Sequence, residues 1–323
     1  MLEWIQSIPM SAVWTAFAVV VAASLALDLF VFHKQAKEMA FRKALAFTAF
    51  WFSLAGAFSI FVWVRFGFEK YVEFVQGFML EEALSVDNLF VFIVIFGYFR
   101  VPKILQHRVL FWGIFGALVL RGFFIFVGVE MVERFHWLLY IFGAFLVYTG
   151  VKLLKGKDGD DDVNPEHNPV LKLFRRFVPM VNEYHGDRFL IVREGRRLAT
   201  PLMLVLVVIE ATDVIFAVDS IPAVFGVSRD PFIIYTSNIF AILGLRSLYF
   251  VLAGSMGKFH YLPIGLGLVL AFIGVKMLVS GFYHMPAVVS LGVLVLLLGG
   301  SIALSILRPL PKIEESAPDS PDE

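Results

Sequence analysis

The sequence predicts an all-α polytopic membrane protein, with about nine transmembrane helices and an inverted repeat of three helices. Three features predict this class: the apolar composition, the spacing of long apolar segments, and a similarity between two parts of the chain. Of the 323 residues, 59% are apolar and 17% are charged, and the mean hydropathy is +0.81. This composition lies outside the range of soluble domains. We therefore expect most side chains to face lipid or one another.

Apolar segments of the length needed to cross a bilayer recur along the chain. A helix needs about 20 apolar residues to span the hydrocarbon core. The first segment is too long for a signal-peptide core and has no basic region before it, so we expect it to be retained. The nine predicted spans are 11–32, 46–65, 74–98, 109–130, 136–154, 201–225, 232–253, 261–280 and 286–307.

The distribution of lysine and arginine predicts the orientation of the chain. Most of these residues fall in one set of alternate loops, among them Lys34, Arg100 and Arg308, whereas the other set holds few, such as Arg65 and Lys70. Loops rich in Lys and Arg stay in the cytoplasm. We therefore expect the N-terminus outside and the C-terminus in the cytoplasm of a bacterial inner membrane.

The spans and the polar segments divide the chain into six parts. "FLIVREGRRLATP" in the long polar loop predicts a small hairpin that turns at Glu194 and Gly195. The predicted parts are a two-helix segment at 1–73, a first three-helix repeat at 74–154, a cytoplasmic loop at 155–200, a second repeat at 201–280, a ninth helix at 281–308 and a disordered tail at 309–323.

Charge and cysteine content exclude several classes of function. The formal net charge is zero, so there is no basic field that would favour nucleic acid. The chain has no cysteine, which excludes thiol chemistry and thiolate-bound metals. It contains no HExxH motif and no histidine placed beside a nucleophile, so we expect no enzyme activity.

Two stretches of the chain are similar over more than seventy residues. "ALSVDNLFVF" aligns with "IFAVDSIPAVF", "LVLRGFFIFVG" with "LGLRSLYFVLAG", and "FHWLLYIFGAFLVYTGVKLL" with "FHYLPIGLGLVLAFIGVKML". Each copy holds three helices, spans three to five and spans six to eight, so the second copy would enter the membrane from the opposite side. Inverted repeats of this kind are typical of secondary transporters, whose substrate site lies near the midplane between the copies.

The alignment pairs the polar residues of the two copies. Glu81 matches Asp213, Asp87 matches Asp219 and Asn88 matches Ser220, whereas Glu210 matches Phe78 and has no acidic counterpart. The two intramembrane arginines, Arg121 and Arg246, also match. We therefore expect the two acidic motifs to form one site.

Five carboxylates in predicted spans require compensation. An acidic residue at a helix centre costs roughly 2.5 to 3.5 kcal/mol, so the five together cost on the order of 15 kcal/mol if ionised and unpaired. Arg121 and Arg246 can balance only two of them, which leaves three negative charges for bound cations or protons. An oxyanion would meet charge of the wrong sign. The five are Glu81, Asp87, Glu210, Asp213 and Asp219.

The donor set predicts the type of cation. Carboxylate, amide and hydroxyl oxygens favour Mn²⁺, Ca²⁺ or Mg²⁺ over softer metals. The predicted metal ligands are Glu81, Asp87, Asn88, Asp213, Asp219, Ser220 and Glu210, with Arg121, Arg246, Asn238 and Asp28 as counter-charges or supporting groups. The predicted partners are the metal cation as substrate, protons exchanged for it, and the lipid bilayer; no permanently bound cofactor is expected.

Helical spacing leaves two arrangements open. At 100° per residue, Glu210, Asp213 and Ser220 share a face of the sixth span, whereas Asp87 and Asp219 point away from the corresponding faces. Asp87 and Asp219 would then either pair with the arginines, or lie where the helix is irregular. Pro222 favours irregularity, because it cannot donate to the carbonyl of Val218. A purely structural ion pair between helices is the plainer alternative.

The chain resembles a known family. The motifs are "EEALSVDNLFVF", "EATDVIFAVDSIPAVF", "TPLMLVLVVIE", "DPFIIYTSNIFAILGLRSLYF" and "GVKMLVSGFYHMPAVVSLGV". They are similar to those of the TerC family of integral membrane proteins, Alx-type branch, which belongs with the LysE-like transporters. The resemblance implies a manganese exporter of the inner membrane, with the matched acidic residues on the family's motifs.

A second class of function is a membrane scaffold that does not transport. The family is named for tellurium resistance, and a scaffold could assist tellurium or metal stress resistance without moving an ion. Direct tellurite transport is not expected, because tellurite is an oxyanion. Loss of manganese tolerance in Asp87→Asn or Asp219→Asn would favour the transporter over the scaffold.

Overall fold

In a computed structural model of the protein, the described residues are 3–33, 41–155, 178–181, 183–193, 195–253, 261–283 and 285–308. The side chains of 28–33, Asp87, Phe90, Val218 and Asp219 are outside this description, although their backbone is helical.

The described chain forms ten helices and one small antiparallel hairpin. Proline at or just before the first helical position marks several helix starts, where its missing N–H costs nothing. The elements are α1 Glu3–Ser7, α2 Met10–His33, α3 Phe41–Phe66, α4 Phe68–Tyr98, α5 Lys103–Arg134, α6 Leu138–Leu154, β1 Leu190–Arg193, β2 Arg196–Ala199, α7 Pro201–Phe225, α8 Pro231–Ala253, α9 Leu262–Val279 and α10 Ala287–Leu307.

The nine helices from α2 to α10 correspond to the nine predicted spans. Seven of them are long and apolar enough to cross a membrane: α2, α3, α5 and α7 to α10. The other two are α6, an apolar helix of 17 residues, and α4, which carries acidic residues along its length. The all-α polytopic class is confirmed, and the protein is an integral, multi-pass membrane protein.

The start of α4 differs from the predicted boundary. The first repeat was expected to begin at residue 74, but α4 begins at Phe68 and only Gly67 separates it from α3. Gly67 has a φ of 93°, a backbone conformation that glycine adopts without steric cost. Hydropathy places the boundary too late because the first turns of α4 contain Glu69, Lys70 and Glu73.

The outer surface of the bundle is apolar. Large apolar side chains are exposed on many helices, for example Phe126 at 75% and Leu296 at 71%. Exposed apolar area of this extent is costly in water but fits a lipid environment. The polar side chains of the candidate site lie inside the bundle.

Contacts between helix ends place one set of loops together. Arg65, at the end of α3, donates to the carbonyl of Ile8, and Lys70 near the start of α4 lies 3.8 Å from Asp230, before α8. Gln76 on α4 donates to the carbonyl of Ala287, the first residue of α10. These contacts gather the N-terminus and the starts of α4, α8 and α10 at one end of the bundle, here named the first end.

The hairpin lies at the opposite end, here named the second end. β1 pairs with β2 across Gly195, whose φ is 75°; the turn was predicted at Glu194 and Gly195, and Glu194 itself lies outside the described residues. The Tyr184 hydroxyl donates to the carbonyl of Phe99 at 2.8 Å. Arg108 on α5 pairs with Asp187. These contacts fasten the hairpin to the ends of α4 and α5.

Helices α6 and α9 cross at backbone distance. A Cβ on Gly143 would lie 2.9 Å from the Gly274 carbonyl oxygen, and one on Gly150 would lie 2.5 Å from the Gly267 carbonyl oxygen. In the sequence alignment Gly150 matches Gly274 and Gly143 matches Gly267. Gly143 therefore meets the counterpart of Gly150, and Gly150 meets the counterpart of Gly143. A two-fold axis produces a reciprocal pattern of this kind.

Helix α7 is continuous from Pro201 to Phe225, with Pro222 inside its last turn. The irregularity that Pro222 led us to expect is absent from the described backbone of α7. Pro222 lacks the N–H that would bond to the carbonyl of Val218, and the helix continues past it to Phe225.

Candidate functional site

A buried arginine joins the two acidic motifs. Arg121 on α5 pairs through Nη1 with Glu81 on α4, and its Nη2 donates to Asp213 Oδ1 on α7 at 3.0 Å. Its Nε also donates to Asp213 Oδ2 at 3.4 Å. The side chains of these three residues are no more than 7% exposed. The matched acidic residues of the two repeats thus share one guanidinium in the bundle interior.

Asn238 on α8 adds a fourth helix to this site. Its Nδ2 donates to Glu81 Oε2 at 3.0 Å, and the residue is 1% exposed. A carboxylate that accepts from both an arginine and an amide is held in a fixed direction. Asn238 was predicted as a supporting group near Arg246; the structure places it beside Glu81.

Glu210 lies one turn before Asp213 on α7 and faces α5. Its carboxylate occupies the space left by the missing side chain of Gly116, because a Cβ there would overlap it. The Oε2 atom is buried and has no hydrogen-bond partner among the described residues. Asp213 and Glu210 are close enough across this turn for their carboxyl groups to interact electrostatically. Glu210 therefore places a third carboxyl group beside the ion triad of Glu81, Arg121 and Asp213.

Buried hydroxyl groups lie on the same two helices. Ser85 on α4 is fully buried and Ser220 on α7 is 1% exposed, and within the described part of the chain neither Oγ has a hydrogen-bond partner. Asn88, the counterpart of Ser220, is buried as well. Uncompensated buried oxygens are uncommon in folded proteins and often mark a site that binds an ion or water.

Several predicted residues are only partly described. The side chains of Asp87, Asp219 and Asp28 lie outside the description, so their contacts with Arg121, Arg246 or a cation stay predictions. Arg246 is buried on α8 at 3% exposure. The described partners of Arg121 are Glu81, Asp213 and no other acid.

The sequence did not single out Glu82 as a buried group. Glu82 is 8% exposed, and its carboxylate lies close to Gly244 on α8. Neither carboxylate oxygen has a hydrogen-bond partner in the part of the chain that is described. Glu82 has no acidic counterpart in the alignment of the two repeats. Its position next to Glu81, within the third span, was the sequence signal for its burial.

The central site holds more carboxyl groups than guanidinium groups among the described side chains. Among described side chains, no three His, Asp or Glu residues form a cluster that could hold a metal ion. Glu81 and Asp213 share one guanidinium, so at least one negative charge exceeds the positive charge of the triad, and Glu210 adds another. The site is therefore suited to cations and unsuited to anions.

Comparison with known proteins agrees with this architecture. Residues 66–310 match the model of the "Integral membrane protein TerC family". The "Uncharacterized membrane protein STKORF319" of Myxococcus xanthus is 50% identical over 98% of this chain and 99% of that protein. The "Putative membrane-bound redox modulator Alx" of Escherichia coli strain K12 is 45% identical over 87% of this chain and 89% of that protein. The protein of the same name in Photorhabdus laumondii is 43% identical over 91% and 94%.

No solved structure matches the chain. The family match covers both predicted repeats and the polar segment between them, and it includes every residue of the ion triad. On these grounds the chain belongs to the TerC family of integral membrane proteins.

Proposed function

We propose that the protein is a divalent cation transporter of the bacterial inner membrane that exports manganese(II). The N-terminus would lie outside and the C-terminus in the cytoplasm, so that the second end of the bundle, with its hairpin, faces the cytoplasm. Protons would be exchanged for the cation. No permanently bound cofactor, nucleic acid or enzymatic step is part of this proposal.

The excess of buried carboxylates over cations is the observation that supports it. Arg121 balances one of the charges on Glu81 and Asp213, and Glu210 lies beside them with one oxygen unpartnered among the described residues. A buried charge without compensation costs several kcal/mol. A divalent cation or protons would supply the missing charge.

Arg121 would act as a fixed counter-charge in this mechanism. Its guanidinium holds Glu81 and Asp213 together when no cation is bound, which prevents their mutual repulsion. The cation would bind to the remaining oxygen donors on α4 and α7, namely Asp87, Asn88, Asp219, Ser220 and Glu210. The oxygen-only donor set favours Mn²⁺ over softer metals and does not distinguish it from Ca²⁺ or Mg²⁺.

The test is manganese transport by the purified protein. In proteoliposomes, the parent protein is expected to move manganese across the membrane, with a counterflow of protons. Cells that express the parent protein are expected to hold less manganese than cells without it. Asp87→Asn and Asp219→Asn should abolish both effects.

Glu130→Gln is a matched control for these variants. Glu130 is about half exposed and pairs with Arg134 one turn away on α5. This variant should transport as the parent does. Full manganese tolerance in both aspartate variants would contradict a transport role and would support a scaffold in metal or tellurium stress resistance.

Two of the relatives are named as membrane-bound redox modulators. The present chain has no cysteine, so a thiol-based redox reaction cannot be carried by its own residues. A change in the cellular manganese level would alter redox balance without any thiol in the transporter.

A further inference from the structure

A polar seam runs along one face of α4 toward the first end of the bundle. Glu73, Gly77 and Glu81 are spaced four residues apart and so lie on one face. Glu81 accepts from Asn238, Gly77 lies against Ser237, and Glu73 accepts from Ser228 just before α8. The rise of an α-helix places the backbones of Glu73 and Glu81 about 12 Å apart. The seam between α4 and α8 therefore connects the ion triad with the first end.

Glu73 is held by several donors. Its Oε2 accepts from Lys70 Nζ at 2.9 Å and from Ser228 Oγ at 2.5 Å, and its side chain is 12% exposed. The charge of Glu73 also acts on Lys276 of α9, whose Nζ donates to Ser290 Oγ at 3.3 Å. Glu73 is thus a nearly buried carboxylate that is paired with Lys70 and lies within electrostatic range of a second ammonium group on α9.

A buried acceptor lies one turn further along α4. Gln76 is 1% exposed, and its Nε2 donates to the carbonyl of Ala287. Its Oε1 has no hydrogen-bond partner among the described residues. Gln76 and Glu73 are neighbours on the helix surface. A carboxylate and an amide oxygen are thus placed together at the first end, and both are suitable ligands for a hard divalent cation.

We propose that Glu73 is a relay carboxylate for the exported divalent cation, and that Lys70 and Lys276 compensate its charge between transport events. The proposal rests on the transport function proposed above. A doubly charged cation that leaves the central site would compete with the ammonium groups for Glu73. Because the lysines are tethered, they return at high effective concentration and release the cation. Glu73 thereby binds the cation without retaining it.

The first test compares Glu73→Gln with Glu69→Gln. Glu69 lies one turn earlier on α4 and is exposed. Its substitution by glutamine removes the same charge from a position outside the buried seam. We expect Glu73→Gln to lower the rate of manganese transport in proteoliposomes by about tenfold, with equilibrium binding at the central site unchanged. The Glu69→Gln variant should match the parent in both measurements. Binding is measured by the loss of the free manganese signal in electron paramagnetic resonance.

A second variant removes one ammonium group and keeps Glu73. In Lys70→Gln, manganese should be released more slowly and should bind several-fold more tightly, because the competing charge is lost. If Glu73→Gln fails to fold, this variant still decides the matter: parent-like binding and release would overturn the proposal.

Different results would refute the transport function and the relay role of Glu73. A parent protein that neither binds nor carries manganese would refute the proposed function. If the parent transports manganese and Glu73→Gln transports it equally fast, only the relay is refuted.

Discussion

Glu210 and Gly116 face each other across α7 and α5, and the Glu210 carboxylate fills the space where a side chain at 116 would be. A small residue on a transmembrane helix is commonly a packing feature. Here it makes room for a charged group beside the ion triad. The position of Glu210 therefore depends on Gly116, which has no functional group of its own.

We expect Gly116→Ala to displace the Glu210 carboxylate and to weaken manganese binding. The added methyl group would overlap that carboxylate, so either α5 and α7 separate or the side chain rotates away. Overpacking of this kind costs about 1 to 3 kcal/mol. The measurements are the midpoint of thermal unfolding in detergent and the manganese affinity.

Gly56→Ala is the control for this substitution, because a Cβ at Gly56 meets nothing within 4 Å. The double variant Gly116→Ala with Glu210→Ala should regain thermal stability, since the overlap is removed. Equal unfolding midpoints for the parent and Gly116→Ala would show that the space beside the Glu210 carboxylate can hold an added methyl group.

Removal of Arg121 should destabilise the protein strongly. Arg121→Met leaves Glu81 and Asp213 buried without their shared cation, and the loss of one partner from a buried ion pair costs about 3 to 5 kcal/mol. Arg121→Lys should restore only part of the stability, because a single ammonium cannot reproduce the forked contacts with two carboxylates. Thermal unfolding in detergent is the measurement.

The triple variant Arg121→Met, Glu81→Gln and Asp213→Asn should unfold at a higher temperature than Arg121→Met alone. The charges that required compensation are absent from it. If the triple variant were less stable than the single one, the carboxylates would not be the cause of the instability.

The crossing of α6 and α9 should tolerate no added side chain. A Cβ on Gly274 would lie 2.5 Å from the carbonyl oxygen of Gly143, and backbone cannot move aside as a side chain can. Gly274→Ala is therefore expected to cost about 1 to 3 kcal/mol. Gly299→Ala on α10 is the control, because a Cβ there meets nothing within 4 Å. Matching loss of stability in both variants would point to a general effect of the substitution.

The hairpin should loosen when the hydroxyl of Tyr184 is removed. Tyr184→Phe deletes the hydrogen bond to the Phe99 carbonyl, which contributes about 0.5 to 1.5 kcal/mol. We expect faster hydrogen exchange in β1 and β2 and little change in the spans. Exchange that stays as slow as in the parent would show that this hydrogen bond is not needed to fasten the hairpin.

The hydrogen bond of Tyr184 should persist up to alkaline pH. Burial raises the pKa of this hydroxyl above its usual range, so the donor stays protonated below pH about 10. Its contribution to stability is complete below the pKa of the unfolded chain and is lost as the pH rises through the folded pKa. Equal protection of the hairpin amides at pH 7 and pH 9, relative to the intrinsic exchange rate at each pH, is the expected result.

The fold was predictable from sequence because lipid imposes a length and a composition on each span. All nine spans lie close to their predicted positions, and the hairpin turn at Gly195 follows from local signals. The largest differences are the starts of α4 and α5, which both lie six residues before the predicted positions. At the start of α4, charged residues such as Lys70 are held by partners on other helices. Hydropathy is computed along the chain and does not see such partners.

The pairing within the site was only partly predictable. Helical spacing placed Glu210 and Asp213 on one face of α7, but it says nothing about which neighbouring helix that face meets. Arg121 was therefore left with several possible partners, and the structure pairs it with Glu81 and Asp213. The burial of Glu82 depends on its neighbours on other helices in the same way. Tertiary packing decides both.

The glycine crossing has a consequence for the origin of the chain. Gly143 meets Gly274 and Gly150 meets Gly267, so the same contact is made twice with the roles of the copies exchanged. An ancestral three-helix protein that inserted into the membrane in both orientations would have formed this contact with an identical copy of itself. Gene fusion would then have fixed one subunit in each orientation, and each half could afterwards diverge, as Glu210 without an acidic counterpart illustrates.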